Sequence, residues 1–460
     1  MDSDRPAAAL PLAFAVALGV AATAFLPTPA AAQGAEGEGA GPGPLEALNL
    51  DIRGLWTNEI AVETDGEAQK FETSVSPEVS ADLPDGWRLT GIGRLRFEGV
   101  DRLAPGRPSQ EFRAPWSRRL QVGDYLDAEL RELYVDGFVG DTFLRLGKQQ
   151  VVWGQADGLR VLDQVNPFDF REFVLPEFED RRIPLWTANA EIPVGDALLQ
   201  VLWIPDRTYD DVPAPGAPFA FTSPLVSPQP RPGVPFTIAE PDRPDDLLLD
   251  GDVGARVTAF VDGWDLSANY LFHHYDQAVY TRRLTPGGVR IEPRYERSHL
   301  VGGSASNAFG DVTLRSEIAV STNRHFQATE PAAEDGVATG TELGYVVGLD
   351  YTGVSDTLIS GQVFQSALVA YDEAIVRDRL ETQVTLKVEQ NFFNDTLTLG
   401  GLLIHSLNDA DGVVQLDLDY SLRSNVRLSA GADLFYGGRD GLFGEFRDAS
   451  RVTAGFEIGF

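Results

Sequence analysis

The chain has 460 residues, of which 69 are acidic and 37 are basic, so its formal net charge at pH 7 is -32. This charge excludes generic binding to nucleic-acid backbones, which requires a basic surface, and mildly favours cations as partners. The chain contains no cysteine, which excludes disulfides and thiolate metal sites.

The first 32 residues predict an export signal peptide. An apolar stretch from Leu10 to Leu26 precedes the small residues Ala30, Ala31 and Ala32, which predict cleavage near Ala32. A structural helix is the alternative interpretation. Residues 33–47, rich in Gly, Ala and Pro, predict a disordered leader. Beyond the signal, no apolar run approaches the ~20 residues of a membrane helix, so a membrane location would require a closed barrel.

From residue 48 to residue 460, segments with alternating apolar and polar residues recur. The pattern is clear at 252–262, 380–390 and 413–421, and it is ambiguous at 198–204 and 296–308. Because side chains of a strand alternate between its two faces, such segments suit a wall with one apolar and one wet face. We therefore predict an all-β fold, a transmembrane antiparallel up-and-down β-barrel of about 18 strands, with a range of about 16 to 18.

The connections between these segments predict the orientation of the barrel. Short turn sequences recur at 84–86, 140–141, 195–196, 262–263, 310–311, 355–356, 394–395 and 424–425. The intervening connections are generally longer, at 102–119, 154–183, 207–249, 277–292, 326–340 and 438–447. Outer-membrane barrels have short periplasmic turns, so an even strand count places both termini in the periplasm.

The last alternating segment places Phe456, Ile458 and Phe460 on one face. A terminal aromatic residue on such a strand resembles the signal that the barrel-assembly machinery reads. We expect this strand to close the barrel by pairing with the first strand, near Leu48.

Two long connections are the candidates for a functional element. Residues 207–249 contain many prolines and predict irregular backbone without paired strands, either a stiff cap over the mouth or a floppy surface loop. Residues 154–182, which we call the insert, mix aromatic residues with carboxylates and arginines. Asn166 and Pro167 predict the start of a short helix. We expect the insert to fold into or over the lumen and narrow it; bracing of the barrel rim is the alternative.

Charged and aromatic side chains near the insert are candidates for the lumen wall or constriction. Arg88, Arg94 and Arg96 share one face of a strand, and the next strand carries Asp127, Glu129 and Glu132 in an unclear register. A basic row opposite an acidic one would set a transverse field across the pore; alternatively, the charges simply neutralise one another. The other candidates are Arg145, Lys148, Trp153, Asp163, Asn166, Asp169, Glu172, Arg181 and Arg182.

The run Arg-Leu-Gly-Lys-Gln-Gln-Val-Val-Trp-Gly at 145–154, the Asn166-Pro167 pair and the segment 433–448 resemble a proteobacterial outer-membrane family known only as a domain of unknown function. In outline the chain is also similar to porin-like and polysaccharide-export barrels. Members of that family often accompany inner-membrane exporters. The resemblance therefore implies export of a lipid or other hydrophobic cargo, with an inner-membrane exporter and a periplasmic partner, besides outer-membrane lipids and the assembly machinery.

An enzymatic function is the least favoured alternative. The chain has five histidines and no G-x-S-x-G sequence, and His405-Ser406 precedes a polar loop at 408–412 that lacks the distal Glu of a calcium loop. We expect no catalytic residue, metal or cofactor. The sequence predicts an outer-membrane channel or export conduit. A non-conducting barrel that docks an export complex is the second interpretation, and an outer-membrane hydrolase is the third.

Overall fold

The computed structural model describes residues 49–107, 109–229, 233–244, 246, 249–329 and 335–460. The predicted signal peptide (1–32) and leader (33–47) lie outside the described residues. Among the described residues, no helix has both the length and the apolar character needed to cross a membrane.

The described residues are mostly β-strand. The strands, in chain order, are β1 (Leu50–Glu63), β2 (Ala68–Asp82), β3 (Arg88–Glu98), β4 (Leu120–Val122), β5 (Leu126–Val139), β6 (Thr142–Gln149), β7 (Leu185–Val194), β8 (Ala197–Ile204), β9 (Phe236–Ile238), β10 (Asp252–Val261), β11 (Trp264–His274), β12 (Val279–Thr285), β13 (Gly288–Arg294), β14 (Arg297–Phe309), β15 (Val312–Gln327), β16 (Val337–Tyr351), β17 (Thr357–Val369), β18 (Leu380–Phe392), β19 (Leu397–Ser406), β20 (Asp411–Arg423), β21 (Val426–Tyr436) and β22 (Arg451–Gly459). One short helix, α1 (Phe178–Arg181), and short 3-10 turns at Pro84–Gly86, Pro115–Ser117 and Gly444–Ala449 complete the described elements.

The strands form a closed antiparallel barrel of 18 strands, which confirms the predicted fold and strand count. Each barrel strand pairs with its neighbour along the chain, and β22 closes the ring on β1 from Leu55↔Gly459 to Glu63↔Arg451. β4 pairs with one end of β5, and β9, β12 and β13 form a separate small sheet. The ambiguous segments at 198–204 and 296–308 are the barrel strands β8 and β14.

The two faces of the barrel wall differ in the way the alternating pattern predicts. On β10, Val253 and Val257 are exposed on the outer face, while Gly254 and Arg256 lie on the inner face. On β18, Leu386 is exposed outward and Lys387 faces inward. Apolar side chains on the outer face of a closed barrel have no protein core to pack against. This arrangement suits a wall surrounded by membrane lipid.

All the predicted short turns fall between adjacent barrel strands at one end of the barrel. Asp85, Asp262, Asp356 and Asn394 occupy the left-handed backbone region there, which Asp and Asn tolerate better than most residues. The longer connections lie at the other end, although those at 64–67 and 407–410 are also short.

The seam of the barrel joins Gly54 to Phe460. The amide of Phe460 donates to the Gly54 carbonyl at 2.9 Å, and the Gly54 amide donates to the Phe460 carbonyl at 2.8 Å. Nearby, the Trp56 and Phe456 rings meet edge to face at 5.1 Å. A Cβ atom on Gly54 would lie 2.3 Å from the Phe460 ring.

Substitution Gly54→Val should therefore displace the Phe460 ring and destabilise the seam by about 1 kcal/mol, because the ring can swing aside. We expect a smaller folded fraction in gel assays of heat-modifiable migration after refolding. Gly361→Val is the matched control, since a Cβ at that position meets no atom within 4 Å. Equal folded fractions for the two variants would contradict the role of the ring at the seam.

Candidate functional site

The connection between β6 and β7 (150–184), which contains the insert, is closed at its base by Asn166. The Asn166 side-chain oxygen accepts from the Val151 amide at 2.8 Å, and its side-chain nitrogen donates to the Ile183 carbonyl at 2.9 Å. The predicted helix at Asn166-Pro167 is wrong. Phe168 pairs with Arg182 in a β-bridge, and the helix of this segment is α1. The Asn166 side chain bridges the two ends of the connection instead of capping a helix.

A buried ion pair reinforces this closure. Both Nε and Nη2 of Arg182 donate to Asp163, at 2.9 and 2.6 Å. Arg181 lies beside the Phe168 and Phe178 rings, at 5.0 and 4.8 Å from their centroids. Burial, with the nearby Arg160, lowers the pKa of Arg181 to about 9. The base of the connection is thus a compact unit of predicted site residues.

Trp153 attaches the start of the insert to the barrel wall. Its side chain is 1% exposed, and its indole nitrogen donates to Gln200 on β8 at 2.8 Å. The ring lies over Gly254, where a Cβ would come within 2.8 Å of it. The surrounding apolar cluster combines residues of the connection with inward-facing wall residues, namely Val151, Leu162, Val165, Leu185, Leu202, Ile204, Leu271, Leu300 and Ala319.

Polar contacts continue from the insert to β15 and β17. Glu317 on β15 accepts from the amides of Gln155 and Leu162. The Asp157 carboxylate receives hydrogen bonds from Arg315 at 2.6 Å and from Gln362 at 2.7 Å. These contacts place the first part of the insert against the inner faces of both strands.

Glu172, in the later part of the insert, is the centre of a buried charge network with β2 and β22. Its carboxylate accepts from Lys70 on β2 at 2.8 Å and from Arg451 on β22 at 2.6 Å, and lies 3.3 Å from Arg171. Burial alone would raise the pKa of Glu172, but Lys70, Arg451 and Arg171 outweigh it and hold that pKa well below its usual range. The carboxylate is therefore ionised and joins the insert to both sides of the β1 strand.

Phe173 belongs to an aromatic cluster where three connections meet. Its ring lies 5.6 Å from Phe443 and 4.6 Å from Phe446, in the β21–β22 connection, and 5.8 Å from Phe221 in the Pro-rich loop. Glu445 accepts from the amides of Thr222 and Ser223 and so fastens that loop.

The prediction that residues 207–249 contain no paired strand is wrong for a short part of the loop. Residues 236–238 form β9, which pairs in parallel with β13. This stretch of Phe, Thr and Ile contains no proline, so its backbone amides remain available for a sheet.

The predicted basic row, which includes Arg94 and Arg96 on β3, lies beside the predicted acidic row on the adjacent strand β5. Arg94 pairs with Glu129 at 2.6 Å, and Arg96 with Asp127 at 2.6 Å. The register shift between Ile92 and Gly93 leaves Arg131 as an extra residue of β5, which explains why the alternation breaks there. Such close pairs favour mutual neutralisation over a transverse field.

The remaining predicted candidates have separate partners. Arg88 is exposed and pairs with Asp82 at 2.8 Å, and Arg145 pairs with Asp136 at 3.1 Å. Lys148 is buried and donates to the Leu130 carbonyl at 2.7 Å. Asp169 lies 3.8 Å from Arg119, and burial is outweighed there by Arg119 and Arg171, which lower its pKa.

Several residues of this region were not predicted. In the sequence, Lys70 and Arg451 look like ordinary polar residues of strands. Lys70 is 102 residues from Glu172 in the chain and Arg451 is 279 residues from it, so no local pattern indicates their contacts. Arg131 donates to the carbonyls of Glu179 and Arg182. It was not predicted because it lies in a β-bulge, where the alternating pattern does not indicate which face a residue is on. A break in alternation that contains an arginine is the one local signal that could have indicated it.

Two buried acids, Asp210 and Asp276, link three connections. The Phe168 amide donates to the Asp210 side chain at 2.8 Å, and the Asp210 amide donates to the Asp276 carbonyl at 3.2 Å. Burial, and then Asp210, raises the pKa of Asp276 well above its usual range, against the opposing effect of Arg160. Burial likewise raises the pKa of Asp210.

These raised pKa values predict that the docking of the connections weakens as pH rises. A carboxyl whose pKa is higher in the docked state stabilises docking at pH below its ordinary pKa and loses that contribution as pH rises through the raised pKa. We expect hydrogen exchange of residues 275–278 to accelerate as pH rises through the raised pKa of Asp276, after correction for the intrinsic rate. Asp276→Asn should remove most of this change, and exposed Asp440→Asn should retain it. A wild-type profile without pH dependence would contradict the prediction.

The chain matches a known family model but no curated protein. The family model described as "Protein of unknown function (DUF1302)" matches residues 121–389. No curated protein matches the chain.

Among solved structures, Acinetobacter baumannii OccAB1 is similar with a TM-score of 0.50 and 11% identity, covering 90% of this chain and 96% of its own. Acinetobacter baumannii OccAB2 is similar with a TM-score of 0.50 and 12% identity, covering 90% of this chain and 98% of its own. At these identities the likeness concerns the fold, a porin-like barrel.

Proposed function

The chain belongs to the DUF1302 family of proteins of unknown function, and from this premise we propose that it is an outer-membrane channel narrowed by the 154–182 insert. The observation that carries the proposal is the set of contacts between this one segment and strands all around a closed ring. Barrels of 16 to 18 strands otherwise leave an aqueous bore.

The position of these contacts on the wall supports an insert within the lumen. Trp153 packs against β8 and β10, Asp157 binds β15 and β17, and Glu172 binds β2 and β22. The Leu175 carbonyl accepts from Gln415 on β20 at 3.0 Å. Contacts of one segment with the inner faces of strands on opposite sides of a barrel support a path of the insert across its interior. Bracing of the rim alone would not require such contacts.

The exposed apolar outer face supports a membrane location, and the short turns at one end support a periplasmic position for both ends of the barrel. We further propose signal cleavage near Ala32 and recognition of Phe456, Ile458 and Phe460 by the barrel-assembly machinery. Export of a lipid or other hydrophobic cargo with an inner-membrane exporter and a periplasmic partner remains a proposal that rests on the family resemblance.

Single-channel recording in planar bilayers tests the channel and the insert together. Wild type should conduct weakly, and a variant with residues 157–182 replaced by a short Gly-Ser linker should conduct severalfold more, because the bore is then unobstructed. Heat-modifiable migration of both proteins on gels verifies folding. If two folded proteins both fail to conduct, the channel is excluded and a non-conducting docking barrel becomes the better interpretation.

We also propose that the protein has no catalytic function. The His405 ring nitrogen Nδ1 lies 3.0 Å from the Asp411 carbonyl and 2.9 Å from the Tyr436 hydroxyl, which supports a structural role. Phospholipid or peptide turnover that His405→Ala abolishes would instead support the hydrolase alternative.

A further inference from the structure

We propose that the channel prefers cations, because its inner wall on the short-turn side of the insert carries unpaired carboxylates in excess. This inference rests on the proposed channel function and adds a class of permeant to it. It follows from the strand register, which fixes the residues that face inward, and from the ion pairs that those residues form.

Most of the basic groups of this wall are neutralised by a neighbour. Arg88 pairs with Asp82 across a hairpin, and Arg145 pairs with Asp136 on the adjacent strand. Arg315 binds Asp350 at 2.7 Å, in addition to its contact with the insert. Such pairs contribute little net charge to the lumen.

Other carboxylates of the same wall form no close ion pair with a basic side chain. In the part of the chain that the structure describes, no nitrogen of a basic side chain lies within 4 Å of the carboxylates of Glu78, Glu191, Asp265, Asp417, Asp419 and Glu457. The unpaired basic residues of this wall are fewer, Arg256 and Arg427. The wall is therefore net negative.

The carboxylates of β20 and β22 border open space. Asp419 and Glu457 line a cavity of about 190 Å³ together with Glu59, Glu72 and Arg427. Asp417 faces the same interior, and its register partner is Gly400, which has no side chain to cover it. On β20 the insert contacts Gln415, so Asp417 and Asp419 lie between the insert and the short turn at 424–425.

This arrangement can select ions without a dedicated binding site. Carboxylates along a narrow passage with low-dielectric walls concentrate the electric field and raise the local concentration of cations. The field acts on any small cation that reaches the wall, so the preference concerns charge sign rather than chemical identity.

The reversal potential of the channel under a KCl gradient measures this preference directly. For wild type we expect a potential displaced toward the K⁺ equilibrium value. The variant with Asp417→Asn, Asp419→Asn and Glu457→Gln should have a K⁺ to Cl⁻ permeability ratio severalfold lower. High salt should weaken the preference of the wild type by screening.

Asp262→Asn is the matched control, because Asp262 is an exposed acid in a short turn outside the inner wall. Its selectivity should equal that of wild type. A conducting wild type with no preference or with anion preference, or a folded triple variant with unchanged selectivity, would overturn this inference and leave the channel function intact. Folded wild type that does not conduct would overturn both.

Discussion

Glu172→Ala should release the central part of the insert from the barrel wall while the barrel itself remains folded. The substitution leaves Lys70 and Arg451, both nearly buried, without the carboxylate that they share. Removal of one partner of a buried ion pair typically costs about 3–5 kcal/mol, because the remaining charge is uncompensated. Lys70 retains its ion pair with Glu59 at 3.2 Å, and Arg451 retains its ion pair with Asp433 at 2.7 Å. The free-energy cost should therefore weaken mainly the docking of the insert, not the barrel.

Limited trypsin proteolysis detects this release. Arg171, Arg181 and Arg182 are largely buried in the folded protein and should become cleavable in the variant, with fragment masses that identify the sites. The conductance of single channels should rise and fluctuate more. Glu179→Ala is the matched control, because Glu179 is exposed in the same segment and should leave cleavage unchanged. Equal cleavage of the two variants would contradict the role of Glu172.

A double variant separates the charge effect from a loss of packing. Glu172→Gln combined with Lys70→Gln removes one charge of each sign and retains hydrogen-bonding side chains of similar length. We expect it to resist trypsin better than Glu172→Ala, although Arg451 still lacks one acceptor. If the double variant is cleaved as fast as Glu172→Ala, the charge of the Glu172 carboxylate rather than the packing of its side chain holds the insert at this position.

The fold was predictable because its signals are local. Alternation within one strand requires only adjacent residues, and turns such as Asp262-Gly263 carry their conformational preference in the pair itself. Even the closure of β22 on β1 follows from an even strand count. These features do not depend on which distant residues meet inside the barrel.

The sequence indicated which segment forms the candidate site, but not which contacts the residues of that segment make. Asn166 carries the same local signal for a helix cap and for a bridge between Val151 and Ile183, and only the closure of the whole connection decides between them. The Glu172 network depends on the register of β2 and β22, which lie far away in the chain. A one-residue shift of register would turn Arg451 to the outer face.

Trp153→Ala should destabilise the attachment of the insert to β8 and β10 by about 3–5 kcal/mol, the usual cost of removing a large aromatic side chain from a packed core. The substitution leaves a cavity over Gly254 and removes the indole N–H that donates a hydrogen bond to the Gln200 side-chain oxygen. We expect faster hydrogen exchange for residues 151–165, and a lower apparent melting temperature if the insert and barrel unfold together.

Graded substitutions at this position distinguish packing from hydrogen bonding. Trp153→Phe keeps most of the apolar contact and loses the bond to Gln200, so it should cost about 1–2 kcal/mol. Trp116→Ala is the control, because Trp116 is 46% exposed, and its effect should stay within about 0.5 kcal/mol. If Trp153→Ala and Trp116→Ala gave the same exchange rates, Trp153 would not anchor the insert. The expected order of exchange rates instead identifies the contact between Trp153 and the wall at Gly254 as an anchor of the insert.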